Sequence, residues 1–250
     1  MTPSLQKRLI FSASGLLGFC CALATAVACG LPLWVNGTAL CRTGAELVNA
    51  SGAELDKFVG ELSYGLFQGQ RVKQCGLGGR VFRFSVFPDL LGAVPAALHV
   101  SVIVFCVTVI LFSSVATGFF FFNAFGRPYE TLQGPMGLYL WSFICCKGQL
   151  ITKSHNLGTN PSGTCSLLVM ILFASEVKLH RLSERIANFN EVTYTFQTHS
   201  ERYDSCFWLL FLVFLLHGLN ILLIRLTGIQ FPFRENKESE LNGGAVDLMY

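Results

Sequence analysis

Charge is what this sequence has least of. Of its 250 residues, 13% are Asp, Glu, Lys or Arg and 52% are hydrophobic, whereas a soluble domain carries about 25% charged residues. The net charge is only +3, and no basic tract interleaved with aromatics occurs. That argues against a nucleic-acid binder, which needs a basic footprint. No HExxH, paired CxxC, P-loop or GxSxG is present. No dyad stands at a spacing that chemistry requires, so the expected catalytic, cofactor-binding and metal-binding residues are none. Trp and Tyr are scarce, at three and six, against 23 Phe.

The scarce charges leave long gaps. Residues 9–40 contain no Asp, Glu, Lys, Arg or His. About 20 apolar residues suffice for a helix to cross the hydrocarbon core. Residues 94–122 form a second run, broken only by His99, and residues 205–224 a third, broken only by His217 and closed by Arg225. Lys7, Arg8 and Ala24-Thr25-Ala26 also fit a signal peptide with its cleavage site. A signal core is about 7–15 residues long, roughly half of this run, which favours an uncleaved anchor.

Between the second and last runs the pattern breaks. Residues 134–146 and 165–177 are apolar but short. Between them lie residues 147–164, KGQLITKSHNLGTNPSGT, from Lys147 to Thr164. A lysine at mid-membrane costs about 2.5–3.5 kcal/mol on the insertion scale, and lipid-facing loop backbone leaves its polar groups unsatisfied. The segment therefore reads as an insertion into one span. The expected fold is an all-α transmembrane bundle of four helices at 9–35, 94–122, 134–177 and 205–225. It carries a small outer first loop, 36–93, with room for a strand. The remaining parts are a cytoplasmic N-terminus, 1–8, an inner loop, 123–133, a second outer loop, 178–204, and a cytoplasmic tail, 226–250.

Lys7 and Arg8 ahead of the first run place the N-terminus in the cytoplasm by the positive-inside rule. Lys178, Arg181 and Arg185 violate that rule. Two sequons, Asn36-Gly37-Thr38 and Asn49-Ala50-Ser51, fall in the first outer loop. Asn36 lies close to the span, which makes Asn49 the better acceptor. Of ten cysteines, only Cys41 and Cys75 lie in that loop. An oxidising compartment favours their pairing over two free thiols. Those in the spans read as small apolar packers. Ser51-Gly52-Ala53-Glu54 resembles a capping box. Phe82, Phe84 and Val86 alternate with Arg83 and Ser85 as in a strand with one buried face.

Gly18, Ala22, Ala26 and Gly30 stand four apart, a spacing at which small residues let helices approach closely. His99 and His217, the ionisable residues of the uninterrupted runs, are expected at helix–helix contacts. The chain ends Asp247-Leu248-Met249-Tyr250. Leu248 and Tyr250 have the spacing of a PDZ-type strand-addition ligand.

Several segments together carry a resemblance to one known family. They are Leu47-Val48-Asn49-Ala50-Ser51-Gly52 with Glu54-Leu55-Asp56-Lys57-Phe58, then Tyr64-Gly65-Leu66-Phe67, Gln74-Cys75-Gly76-Leu77-Gly78 and Phe82-Arg83-Phe84-Ser85. Asn123-Ala124-Phe125-Gly126, LVMILFASEVK at 168–178 and the C-terminal four residues complete the set. The set resembles the clarins, and the resemblance covers nearly the whole chain and departs at residues 147–164. It implies a four-span protein of the claudin-like superfamily with both termini cytoplasmic and a glycan at Asn49. Gly65-Leu66-Phe67 only loosely echoes the claudin Gly-Leu-Trp. Clarins serve hair cells and photoreceptors. The resemblance therefore implies a non-enzymatic membrane organiser in the plasma membrane. Its expected partners are the bilayer, other membrane proteins, PDZ scaffolds and actin-linked complexes, with oligomers allowed and no nucleic acid. A claudin-like adhesion or pore protein is the alternative, ahead of a channel or transporter.

Overall fold

The computed structural model describes residues 3–76, 78–125 and 161–226. Helix α1 runs from Pro3–Gly30. The charge-free run continues to residue 40, yet the helix stops at Gly30, before Pro32, which lacks an N–H and cannot extend the ladder. The following residues form strand β1, Val35–Cys41. After it come helix α2, Arg42–Leu47, and a 3-10 turn, Gly52–Phe58. Strands β2, Val59–Tyr64, β3, Gln68–Gln74, and β4, Gly79–Ser85, then form a meander. Helices α3, Ala96–Phe125, and α4, Pro161–Leu179, follow. Helix α5, Leu182–Ala187, strand β5, Phe196–Tyr203, and helix α6, Ser205–Leu226, complete the described chain.

The five strands form one antiparallel sheet in the order β4-β3-β2-β1-β5. This overturns the all-α expectation. The strand signal at residues 82–86 was only part of a sheet that also recruits β5, from the segment that precedes the last helix. Among the described residues, three helices rather than four are long and apolar enough to cross a membrane: Arg8–Gly30, Ala96–Phe125 and Ser205–Leu223. Helix α4 carries Glu176 and Lys178 near its end. It packs against α3 and α6, which with α1 complete a ring of helices. Residues 126–160 lie outside the described residues, and with them most of the expected insertion. Its last residues, from Pro161, open α4. Proline is well suited to a first helical turn because its missing N–H would have had no partner there.

Helix faces follow the same logic as a soluble core turned outward. Leu16, Phe19 and Leu23 of α1, Val104, Val107 and Leu111 of α3 and Leu212, Leu215 and Leu219 of α6 are exposed. Such apolar surface is stable only in lipid. The chain is a membrane protein.

The inward face of α1 is made of small groups. Ser14, Gly15, Gly18, Ala22 and Thr25 are buried, whereas Ala26 and Gly30 are exposed. Residues four apart drift about 40° per step on a helix of 3.6 residues per turn. A stripe that starts inward at Gly18 has therefore rotated out by Gly30. A Cβ on Gly18 would stand 2.7 Å from Thr117 Oγ1, and one on Gly15 3.3 Å from Phe120 Cβ. Gly18→Leu is expected to separate α1 from α3 at a cost of about 1–3 kcal/mol or more, as overpacking does. Thermal unfolding in detergent, compared with Ala26→Leu on the open face, measures it; equal melting of the two variants would contradict this packing.

Candidate functional site

The sheet is fused to one end of the bundle. One hydrophobic core contains Trp34, Leu62, Tyr64, Leu66 and Phe84 from the sheet side, with Val102, Phe173 and Leu210 from α3, α4 and α6. Trp34 Nε1 donates to the Ala28 carbonyl at 2.8 Å, and its ring meets Phe173 edge-on at 4.7 Å. The first contact satisfies one of the carbonyls that a helix C-terminus leaves open. The β2–β3 turn approaches the end of α1 so closely that a Cβ on Gly65 would lie 2.4 Å from the Leu31 carbonyl oxygen.

Three polar linkages tie this junction together. His99 on α3 is 2% exposed, with Nδ1 2.8 Å from Glu176 Oε1 of α4 and Nε2 2.8 Å from the Leu66 carbonyl. One imidazole thus joins two helices to the β2–β3 turn. Glu176 Oε2 has no hydrogen-bond partner. In the second linkage Tyr64 Oη donates to Ser183 Oγ at 2.9 Å, because Ser183 gives its own proton to Glu201 Oε2 at 2.8 Å. Glu201 also accepts from Lys178. Burial pushes the Tyr64 phenol pKa up, and the nearby Glu201 and Glu176 add to this.

The third linkage is Arg71, on β3 and 4% exposed. Its Nη1 donates to the Ile186 and Ala187 carbonyls at 2.7 Å each, and its Nη2 to the Phe189 carbonyl at 2.7 Å and to Glu191 Oε1 at 3.0 Å. The guanidinium caps the C-terminal carbonyls of α5 with a cation, where a helix favours one. Its other face lies over Phe82, 5.2 Å from the ring centre. Burial lowers the Arg71 pKa and Glu191 opposes that shift. The guanidinium stays charged, because arginine does not lose its proton in proteins. Lys73 also pairs with Glu191.

The Clarin-2-like family profile matches residues 6–224. Clarin-1 of Mus musculus is 55% identical over 99% of this chain and 100% of its own length, as is Clarin-1 of Homo sapiens. Clarin-2 of Homo sapiens is 34% identical over the same shares. The chain belongs to the clarin family. Clarin-3 of Homo sapiens is a more distant relative, at 25% over 89% of this chain.

In this clarin Cys41 and Cys75 are joined by a disulfide with Cα atoms 5.4 Å apart and a sequence separation of 34. It links the end of β1 to the β3–β4 turn. Cys41→Ser is expected to cost about 4 kcal/mol if loop entropy dominates. The check is a fall in the fraction of chain that leaves the endoplasmic reticulum; unchanged export would rule the disulfide out as a major support of the module. Asn49 is exposed, in a left-handed conformation that asparagine tolerates, at the end of α2. Asn36 is half-buried inside β1, between β2 and β5. Asn49→Gln is expected to remove a glycosidase-sensitive shift on gels, and Asn36→Gln to leave it. The reverse pattern would refute this placement.

Ser51 stands ahead of the 3-10 turn but makes no side-chain capping bond. Asn220 of α6 donates to the Ser14 carbonyl of α1 at 3.3 Å, and His217 of α6 meets Ser113 Oγ of α3 at 3.3 Å. Cys21, Cys106 and Cys206 are buried and outside the disulfide, and Cys165 is buried as well. Among the described residues no group of three His, Cys, Asp or Glu side chains gathers as a metal site would. Leu248 and Tyr250 lie outside the described residues. The three basic residues that depart from the positive-inside rule each have a local partner. Lys178 pairs with Glu201 and Arg181 with Glu184, and Arg185 bonds the Ala93 carbonyl.

Sequence reasoning missed Arg71, Glu191 and the His99–Glu176 pair. A lone Arg in QGQRVKQ carries no signal that it is buried. Glu176 in an apolar stretch was a signal, because an acid there needs a partner.

Proposed function

We propose that this clarin is a non-enzymatic organiser of membrane assemblies in the plasma membrane of sensory cells. It would serve hair bundles, mechanotransduction, ribbon synapses and photoreceptors, as the family resemblance implies. The observation that carries the organising role is the fused junction. A partner gripping the outer sheet is coupled through His99, Tyr64 and Arg71 to the ends of α3, α4 and α5. A loosely tethered loop has no such coupling. PDZ-type binding through Leu248 and Tyr250, and a link to actin, belong to the same reading.

Exposed apolar residues at the tip of the module, Leu47 at 76% and Val48 at 61%, favour claudin-like adhesion as the second reading. One experiment separates the two. The full chain, and a variant with Leu47 and Val48 changed to Ser, is expressed in hair cells that lack their own clarin and in non-adherent cells. Rescue of bundle shape and transduction current without cell aggregation supports the organiser. Aggregation that the tip variant abolishes, without rescue, supports adhesion. Failure of both overturns both readings.

A further inference from the structure

The two edges of the sheet are finished differently. At the β5 edge, Asn188 Nδ2 donates to the Phe196 carbonyl and Asn188 Oδ1 accepts from the Phe196 N–H, each at 2.7 Å. This side chain occupies the backbone groups of Phe196, the first residue of β5, where a further strand would begin to pair. At the other edge, β4 pairs with β3 on one side, and no described strand covers its outer side. Gly79, Arg80, Val81, Phe82 and Arg83 are all exposed, and Val81 is 65% exposed. Along such an edge alternate residues point their N–H and C=O outward, which is a template for an added strand.

The charges at this edge are of one sign. Arg80 and Arg83 enter no ion pair among the described residues. Register places Arg80 opposite Lys73 and Phe82 opposite Arg71 on one face of the sheet. The carboxylate bonded on that face is Glu191, already shared by Arg71 and Lys73. Arg83 follows Phe82 and so points to the other face. Edge arginines of this kind repel a second copy. Antiparallel self-pairing centred on Arg80 or on Arg83 would set that arginine opposite its own copy, and like charges directly opposite destabilise a strand pair.

We infer that the β4 edge receives an extended acidic segment of a partner's outer domain, added as a sixth strand. Its acidic residues stand three apart, one on each face, opposite Arg80 and Arg83. This assignment goes beyond the organiser role and stands on the fold alone, so either can fail without the other.

The test uses the full chain in nanodiscs and a soluble nine-residue probe of alternating Val and Thr with two Glu three apart. Controls carry Lys in place of Glu, or a central Pro. The Glu probe is expected to bind about tenfold more tightly than the Lys probe, since opposed cross-strand charges favour pairing, and the Pro probe to lose binding. The double variant Arg80→Glu/Arg83→Glu, on exposed positions that leave the core intact, is expected to reverse the preference. Equal binding of Glu and Lys probes, or retention of the Pro probe, overturns the proposal. So does self-association of the chain that the Glu probe displaces, which would give the edge to a second copy.

Discussion

Arg71→Leu is expected to be among the most damaging single substitutions in the sheet module. It removes the guanidinium donors from the carbonyls of Ile186, Ala187 and Phe189, of which Ile186 keeps the Phe189 N–H at 3.3 Å, and it removes one of the two cations on Glu191. Breaking a buried charged network from one side costs about 3–5 kcal/mol, because the remaining groups stay buried without compensation. For a chain of this size that is a fall in melting temperature of roughly 6–20 °C. Leucine also loses the stacking on Phe82, a smaller effect of about 0.5–2 kcal/mol. Arg71→Lys keeps the charge but replaces a planar fork with a point donor, so it is expected to recover only part of the loss. The measurement is melting of the purified chain by size-exclusion fluorescence, with the Asn49 glycan scored in parallel as a report of export. Melting of Arg71→Leu at the wild-type temperature would refute the clamp.

His99→Leu should be of similar severity, for a different reason. Glu176 is 0% exposed and its Oε2 already lacks a partner. Without the imidazole its Oε1 loses the one contact it has, and the Leu66 carbonyl loses its donor. The expected cost is again about 3–5 kcal/mol. Glu176→Gln is expected to be mild, because an amide of the same shape still donates to Nδ1 while Nε2–H serves Leu66. The double variant His99→Leu/Glu176→Leu is the decisive one. Removing both partners in favour of apolar groups is expected to restore most of the lost stability, giving a coupling energy well above the roughly 0.3–0.5 kcal/mol scatter of independent sites. Simple addition of the two single losses would mean that the pair does not hold the junction.

Both residues show where sequence reading stops. His99 was visible as the one break in an apolar run, and Glu176 as an acid in another. Nothing in the chain says that the two meet, since they are 77 residues apart. Strand β5 was missed for a related reason. FQTHSERY is polar and does not alternate. Its place beside β1 comes from backbone hydrogen bonds that any residue can make. The glycine-alanine stripe was legible as a packing signal but carried two positions too far, to Ala26 and Gly30, because a period of four outruns the helix.

The sequence by itself determined that this chain lives in a membrane, where its apolar runs lie, and that it is a clarin. Those properties follow from local composition and from residues that carry their meaning without neighbours. The tertiary structure alone decided that the segments between the membrane helices form one five-stranded sheet, that the sheet shares its core with the helix ends, and which polar residues are buried. Burial and partnership are properties of distant segments brought together, and the free energy of a buried Arg or Glu depends on what it faces rather than on what precedes it in the chain.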